Sequence, residues 1–255
     1  MASDTREILS LFDKQVRRDI VAEPGIRVER TYRAVRIVGL WNCILYSELD
    51  AETADGEIAA QIDYFRHRGA HFEWKVYAHD RPSDLDQRLA RAGFEPEEPE
   101  TFMVLDLDGE LPSPEPPQSV TLRQVTDAAG LADLSAVGER AFGVDYSAMN
   151  EEFLARLPLG TVTFYVAYAG AEPVCAGRLE TPPDCDFAGL YGGGTAPDYR
   201  HQGLYRTLVG ARAQEAKQRG YRYLNVDAAQ QSRPILERIG FVPLTTIRAW
   251  TWRPD

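Results

Sequence analysis

Arg200, Gly203 and Tyr205, in the segment Pro197-Asp-Tyr-Arg200-His-Gln-Gly203-Leu-Tyr205-Arg206, have the types and spacing of a site for a charged ligand. The segment follows a run that reads as a strand, Phe187 to Thr195, with consecutive glycines at Gly192, Gly193 and Gly194. It leads into a helical pattern with apolar Leu204, Leu208, Val209, Ala211 and Ala213, stopped by Arg219-Gly220. A turn between strand and helix aims several backbone N–H groups, and the positive end of the helix dipole, at one point. That is an anion site, and a diphosphate is its usual occupant. Gly203 lets the backbone approach a phosphate closely, and Arg200 and Arg206 add charge. An ordinary strand–turn–helix with solvated arginines has the same residues, so the motif alone leaves both readings open.

The elements that must position this turn follow from the periodicity of the chain. Leu111-Pro-Ser-Pro-Glu-Pro-Pro-Gln-Ser119 puts four prolines in six positions and denies the backbone both helix and sheet donors, which predicts an extended linker over 111–119. It separates residues 1–110 from residues 120–255. In the second part, Val120 to Val125 alternates as a strand, and Asp127 to Phe142 and Met149 to Leu157 read as helices. Thr161 to Ala169 and Pro173 to Leu179 predict two strands across the turn Gly170-Ala-Glu. After the glycine strand and its helix, Tyr221 to Asp227 predicts a further strand. Ser232 is placed as N-cap of a short helix ending at Gly240-Phe241, and Leu244 to Trp252 forms a last strand.

Composition sets outer bounds. The 255 residues suffice for one or two domains, and 44% apolar with 26% charged is the balance of a soluble globular chain. No apolar run approaches membrane-spanning length, and Met-Ala-Ser-Asp-Thr-Arg-Glu does not read as a signal peptide. Three cysteines, Cys43, Cys175 and Cys185, lack metal spacing and fit free thiols in a reducing cytoplasm. A net charge of −11 argues against nucleic acid or anionic membrane as partner. An anionic ligand then needs local positive charge, which Arg200, Arg206, Arg212, Lys217 and Arg219 are expected to concentrate around one helix.

The spacing Arg-x-x-Gly-x-Tyr resembles the acetyl-CoA pyrophosphate loop of the GCN5-related N-acetyltransferases, the GNAT superfamily. The segment Ser232-Arg-Pro-Ile-Leu-Glu-Arg-Ile-Gly-Phe241 is similar to that superfamily's second recurring segment. The order strand, two helices, three strands, helix, strand, helix, strand over Val120 to Trp252 is also that of a GNAT domain. The resemblance implies an α/β (α+β) fold with a mixed, mostly antiparallel sheet flanked by helices. It also implies acetyl-CoA as co-substrate without a metal, and direct acetyl transfer to a primary amine of a small molecule or peptide. Gly193, Gly194 and Thr195 would lie where a bulged strand offers free amides to the pantetheine arm and acetyl oxygen. Arg200, His201, Gln202, Gly203, Leu204 and Tyr205 would hold the pyrophosphate.

The sequence departs from the family pattern at three positions. Tyr205 stands where Gly or Ala is usual, Leu236 where many relatives carry a Tyr acid, and Asn225 where some carry a Glu base. Asp227, on the same strand face as Asn225, is the candidate base, and Tyr191 on the glycine strand the candidate acid or acceptor-cleft residue. Each has an ordinary solvated or capping role as its alternative. A CoA-binding regulatory module without catalysis is the rival reading, and the oligomer is a monomer or homodimer. His201 and Cys185 are read as loop residues and Trp250-Thr-Trp252 as core or interface. His71, His79 and Asp80 lack metal spacing, and the glycine triplet lacks the Gly-Lys-Ser/Thr of a P-loop.

Residues 1–110 echo the second part. A helix over Glu57 to Arg68 ends in Arg68-Gly69, and a strand over Phe72 to Tyr77 follows. Arg81-Pro82 and Leu89-Ala-Arg91-Ala-Gly93-Phe94 then repeat Arg233-Pro234 and Leu236-Glu-Arg238-Ile-Gly240-Phe241, before a strand over Thr101 to Leu107. This suggests a degenerate tandem GNAT-like copy, and chance similarity of two α/β units is its alternative. With no Arg-x-x-Gly loop before its helix, this copy is expected to bind no CoA.

Overall fold

A computed structural model describes residues 5–22, 26–39, 41–113 and 115–254. In chain order the elements begin with α1 (Thr5–Phe12), β1 (Ile26–Arg30), β2 (Ala34–Gly39), β3 (Cys43–Ser47) and α2 (Ala54–Arg66). Next come β4 (Phe72–Tyr77), α3 (Leu85–Arg91), β5 (Glu95–Pro96) and β6 (Glu100–Asp106). They continue through β7 (Val120–Gln124), α4 (Ala128–Phe142), α5 (Asn150–Arg156), β8 (Val162–Ala169) and β9 (Glu172–Glu180). The chain finishes with β10 (Phe187–Thr195), α6 (Leu204–Gln218), β11 (Tyr223–Ala228), α7 (Arg233–Arg238) and β12 (Val242–Trp252). The glycine strand and the Phe72–Tyr77 strand form over the residues their patterning predicts. Ser232 directly precedes α7, and its hydroxyl donates to the Ala229 carbonyl at 3.0 Å.

The chain divides into two compact units. The first comprises 1–103, 227–233 and 243–255, and the second comprises 104–226 and 234–242. In the first, β1, β2 and β3 pair antiparallel, and β3 pairs parallel with β4 across the α2 crossover. β12 runs antiparallel to β4, from Ile247 opposite Tyr77 to Trp252 opposite Phe72. Its core is aromatic. Phe65 stacks on Phe72 at 4.3 Å between centroids, and Trp74, Phe94, Trp250 and Trp252 are buried with them. Trp250 and Trp252 are thus core residues of this unit, and Trp250 Nε1 donates to Asp86 at 2.8 Å. Buried Arg17 is compensated within the unit by Asp80 and Asp13 carboxylates at 2.7 and 2.6 Å.

In the second unit the strands run β11-β10-β9-β8-β7, antiparallel except for β10 and β11. Helix α4 begins with the Asp127 carboxylate accepting from Gly130 N at 2.9 Å, a regular N-cap. Leu131, Val137, Phe153, Phe164 and Val166 form one apolar cluster, and Leu204, Leu208, Val174 and Ala167 belong to another. The proline-rich segment lies on α6, where Thr207 Oγ1 donates to Glu115 O at 3.1 Å. A Cβ on Gly210 would stand 2.6 Å from the Pro112 and Ser113 carbonyl oxygens. Gly210→Ala is therefore expected to push this segment off the helix, because those atoms are backbone and cannot rotate away. Limited proteolysis should then cut faster near residues 111–117, and an unchanged cleavage rate would refute the close packing.

Cys43 and Cys175 are buried and Cys185 half-buried, all as free thiols. Burial pushes the Cys43 thiol well above its ordinary value and those of Cys175 and Cys185 up to about 11. Among the described residues no helix is long and apolar enough to cross a membrane, and no group of acids, histidines or cysteines is placed to hold a metal.

Candidate active site

The strand-to-helix turn is built on a break in the sheet. β10 faces β9 in register at Tyr191 opposite Arg178 and again at Gly194 opposite Ala176, so one extra β10 residue lies between. The three glycines serve this bulge in three ways. Gly192 has φ +58°, a left-handed backbone that side chains disfavour. A Cβ on Gly193 would meet the Tyr205 ring at 3.0 Å, and one on Gly194 would meet Phe142 and Ala141 of α4 at 2.7 and 2.8 Å. Successive residues thus face α6 and α4 on opposite sides of the sheet.

The other edge of β10 is released as well. Its ladder with β11 covers Phe187 to Gly189 opposite Tyr223 to Asn225, while both strands run on, to Thr195 and to Ala228. Past Gly189 the ladder with β11 ends, and the stretch from Gly193 to Thr195 is where an extended ligand can add to β10 as a strand adds to a sheet edge.

Beyond Thr195 the turn brings the predicted loop residues together. Thr195 Oγ1 donates to Cys175 Sγ at 3.2 Å, and the Thr195 carbonyl accepts from Arg200 Nε at 3.3 Å. Arg200 Nη2 reaches the Ala141 carbonyl at 3.2 Å, so this arginine ties the end of β10 to the end of α4. Gln202 donates to the Asp198 carbonyl at 3.4 Å. His201 and Gly203 take left-handed conformations, φ +62° and +83°, which turn the chain into α6. No side chain caps α6, and the first amide returned to the helix is Thr207 N, to Gly203 O. The preceding amides are left pointing outward with the positive end of the dipole.

The expected basic cluster on α6 is smaller than its sequence suggests. Arg206 is exposed, but Arg212 is buried, and Arg219 is bound to Glu215, Thr163 and the Gly160 carbonyl. The helical period explains this: Leu204, Leu208, Arg212 and Ala216 share the buried stripe. Tyr205 turns inward, its ring against Gly193, and burial raises its pKa. Tyr191 folds over Gly189, with the Arg178 guanidinium 5.1 Å from its ring. Asn225 and Leu236 are buried, and neither carries an exchangeable acid proton.

Asp227 belongs to the first unit, where its carboxylate accepts from Lys75 Nζ at 2.9 Å. Glu100 lies beside it and was not singled out in the sequence. Its carboxyl is pushed up to about 7 by burial and by the charge of Asp227, with Lys75 pulling the other way. Its sequence neighbours Glu97 and Glu98 give it the look of a solvated acidic run.

A bulged strand that parts from a parallel neighbour and feeds a glycine turn into an uncapped helix is the arrangement of the acyl-CoA N-acyltransferase, or GNAT, fold. Residues 130–249 match the family model described as an acetyltransferase (GNAT) domain. The fold is similar to that of a GCN5-related N-acetyltransferase from Kribbella flavida, with TM-score 0.71 and 16% identity, covering 100% of this chain and 97% of that one. It is similar to a functionally unknown conserved protein from Staphylococcus epidermidis, with TM-score 0.68 and 15% identity over 96% and 100% of the two chains. A tandem GNAT protein from the clavulanic acid biosynthesis pathway aligns with TM-score 0.61 and 14% identity over 91% and 84%. No curated protein matches the sequence.

Proposed function

We propose that the chain is an acetyl-CoA-dependent N-acetyltransferase that moves the acetyl group directly to a primary amine. The observation that carries this reading is the released edge of β10, which runs from its bulge straight into the uncapped N-terminus of α6. The amides of Gly193, Gly194 and Thr195 receive the pantetheine arm and thioester, and the turn from Arg200 to Tyr205 receives the diphosphate. The fit is favourable: glycine backbone permits close approach, and the outward amides of α6 lack a partner that an anion supplies. Bound acetyl-CoA supplies the activated acyl group. The chain orients it and removes a proton from the acceptor's ammonium.

For that proton, Asp227, two residues beyond Asn225 on β11, is the candidate base, and Tyr191 lines the acceptor side of β10. The first unit is read as a degenerate copy of the second, supported by its own parallel pair around a crossover helix, β3–α2–β4. There the turn leading into the helix holds the Asp50 carboxylate, which accepts from Glu52 N and Thr53 N at 2.9 Å. A carboxylate in that place repels phosphate, so this unit binds no CoA. The free thiols fit a cytoplasmic protein.

Thiol release from acetyl-CoA across a panel of small amines and peptides tests the proposal. Tight CoA binding without turnover on any amine would favour the rival, a CoA-binding regulatory module, which the buried Leu236 and Asn225 support. Arg200→Glu should weaken CoA by at least about tenfold in calorimetry, since it removes a cation and two backbone ties near the diphosphate. Unchanged affinity would remove the assignment of this turn.

A further inference from the structure

Arg212 is 1% exposed. Its Nε donates to Leu208 O at 3.1 Å and its Nη1 to Arg178 O at 3.0 Å, while its buried Nη2 has no partner. Buried Arg17 has two carboxylates, whereas no ion pair to Arg212 is found among the described residues. A buried guanidinium without a counter-charge is costly, and a nearby developing negative charge recovers part of that cost. Its position is specific. A Cβ on Gly177 would stand 3.0 Å from Nη1, and one on Gly193 would stand 3.4 Å from Nη2. The guanidinium therefore covers the α6 face of the β9–β10 bulge. It also supplies a donor to the carbonyl of Arg178, the β9 residue at the edge of the register shift.

We propose that Arg212 is a positioning residue of the acyl-transfer site, which braces the β10 bulge from behind and places an unpaired positive charge behind the thioester. The inference rests on the donor reading above. In that reaction the amine nitrogen forms the C–N bond, the C–S electron pair leaves on sulfur, and the nitrogen's proton goes to the base. With leucine at position 236, no tyrosine there can neutralise the departing thiolate. Through the thin glycine backbone, the charge of Arg212 stabilises it instead.

The test is the pH dependence of CoA binding measured against desulfo-CoA. A cation behind the sulfur lowers the pKa of the bound thiol, taken here as an alkyl thiol like the cysteine side chain, whose reference value is about 8.5. CoA should therefore gain affinity over desulfo-CoA as pH rises from about 6 to about 9, by roughly five- to tenfold. The groups facing Arg212 are Tyr205 on its own helix, Cys175 and Arg178 on β9 and Tyr165 on β8. Burial raises the pKa values of Cys175 to about 11 and Tyr165 to about 12, and that of Tyr205 upward, so those three stay neutral over the range. Taking the ratio of the two ligands cancels titrations elsewhere in the protein.

In Arg212→Met the ratio should be flat with pH. Arg212→Lys should keep the pH-dependent gain and bind both ligands more weakly, because one ammonium cannot both brace Arg178 O and span the bulge. A flat ratio in the unaltered protein overturns the proposal without any variant, as does an unchanged slope in Arg212→Met. Failure of the unaltered protein to bind either ligand overturns the donor reading itself, and this inference with it.

Discussion

Glu100→Gln is expected to make the protein harder to unfold at pH 8, with little change at pH 5. The Glu100 carboxyl ionises at about 7 in the fold, against an ordinary value of 4.5. The fold therefore favours its neutral form. Stability from this group is full below about pH 4.5 and is lost as pH rises through about 7. Above that pH the carboxylate is held against the preference of its surroundings, and glutamine relieves roughly 1–3 kcal/mol of that cost after allowance for solvent screening. Denaturant melts at pH 5 and pH 8 should show the variant gaining only at the higher pH.

The neighbouring charge adds a second reading. Asp227→Asn removes it and leaves Lys75 nearer to unopposed, so the loss of stability with rising pH should be smaller and end at lower pH. An unchanged pH dependence in Glu100→Gln would exclude this carboxyl as its source.

The second large effect is expected at Gly193. In Gly193→Val, the new Cβ would stand 3.0 Å from the Tyr205 ring and 3.4 Å from Arg212 Nη2, and the branched methyls come closer still. Neither neighbour can retreat freely, because Arg212 is buried and Tyr205 half-buried with its ring against the strand. Overpacking of this kind costs roughly 1–3 kcal/mol and is relieved mainly by moving the bulge. CoA affinity should fall roughly tenfold to a hundredfold, since the displaced backbone is the surface assigned to the thioester. Adding Tyr205→Ala should return most of the lost stability, read as the melting midpoint, while CoA affinity recovers less. If the double variant is no more stable than Gly193→Val alone, Tyr205 is not what Gly193 accommodates.

Much of this site was legible in the chain because it is local. The glycine strand, the left-handed Gly203 and the Arg200 turn occupy about twenty consecutive residues, and their chemistry is carried by the backbone. Turn geometry and helix polarity then dictate the arrangement. Arg212 was less legible, although its place four residues after Leu208 on an apolar stripe signals burial. Read as one more basic residue on a charged helix, it looks solvated. Glu100 was not legible at all. Its altered acidity depends on Lys75 and Asp227, which lie 25 and 127 residues away in the chain and meet it only in the folded sheet. The same holds for Tyr205, whose inward turn requires the missing side chain of Gly193.

The buried cysteines have a practical consequence for assaying this protein. A disulfide chromogen reacts with thiolates. At pH 8, thiols that ionise at about 11 present roughly one part in a thousand in that form, and Cys43 presents less. The folded protein should therefore be nearly colourless to such a reagent, while each CoA released reports at once. A background that climbs during the reaction would register unfolding, so one cuvette can follow both turnover and the integrity of the catalyst.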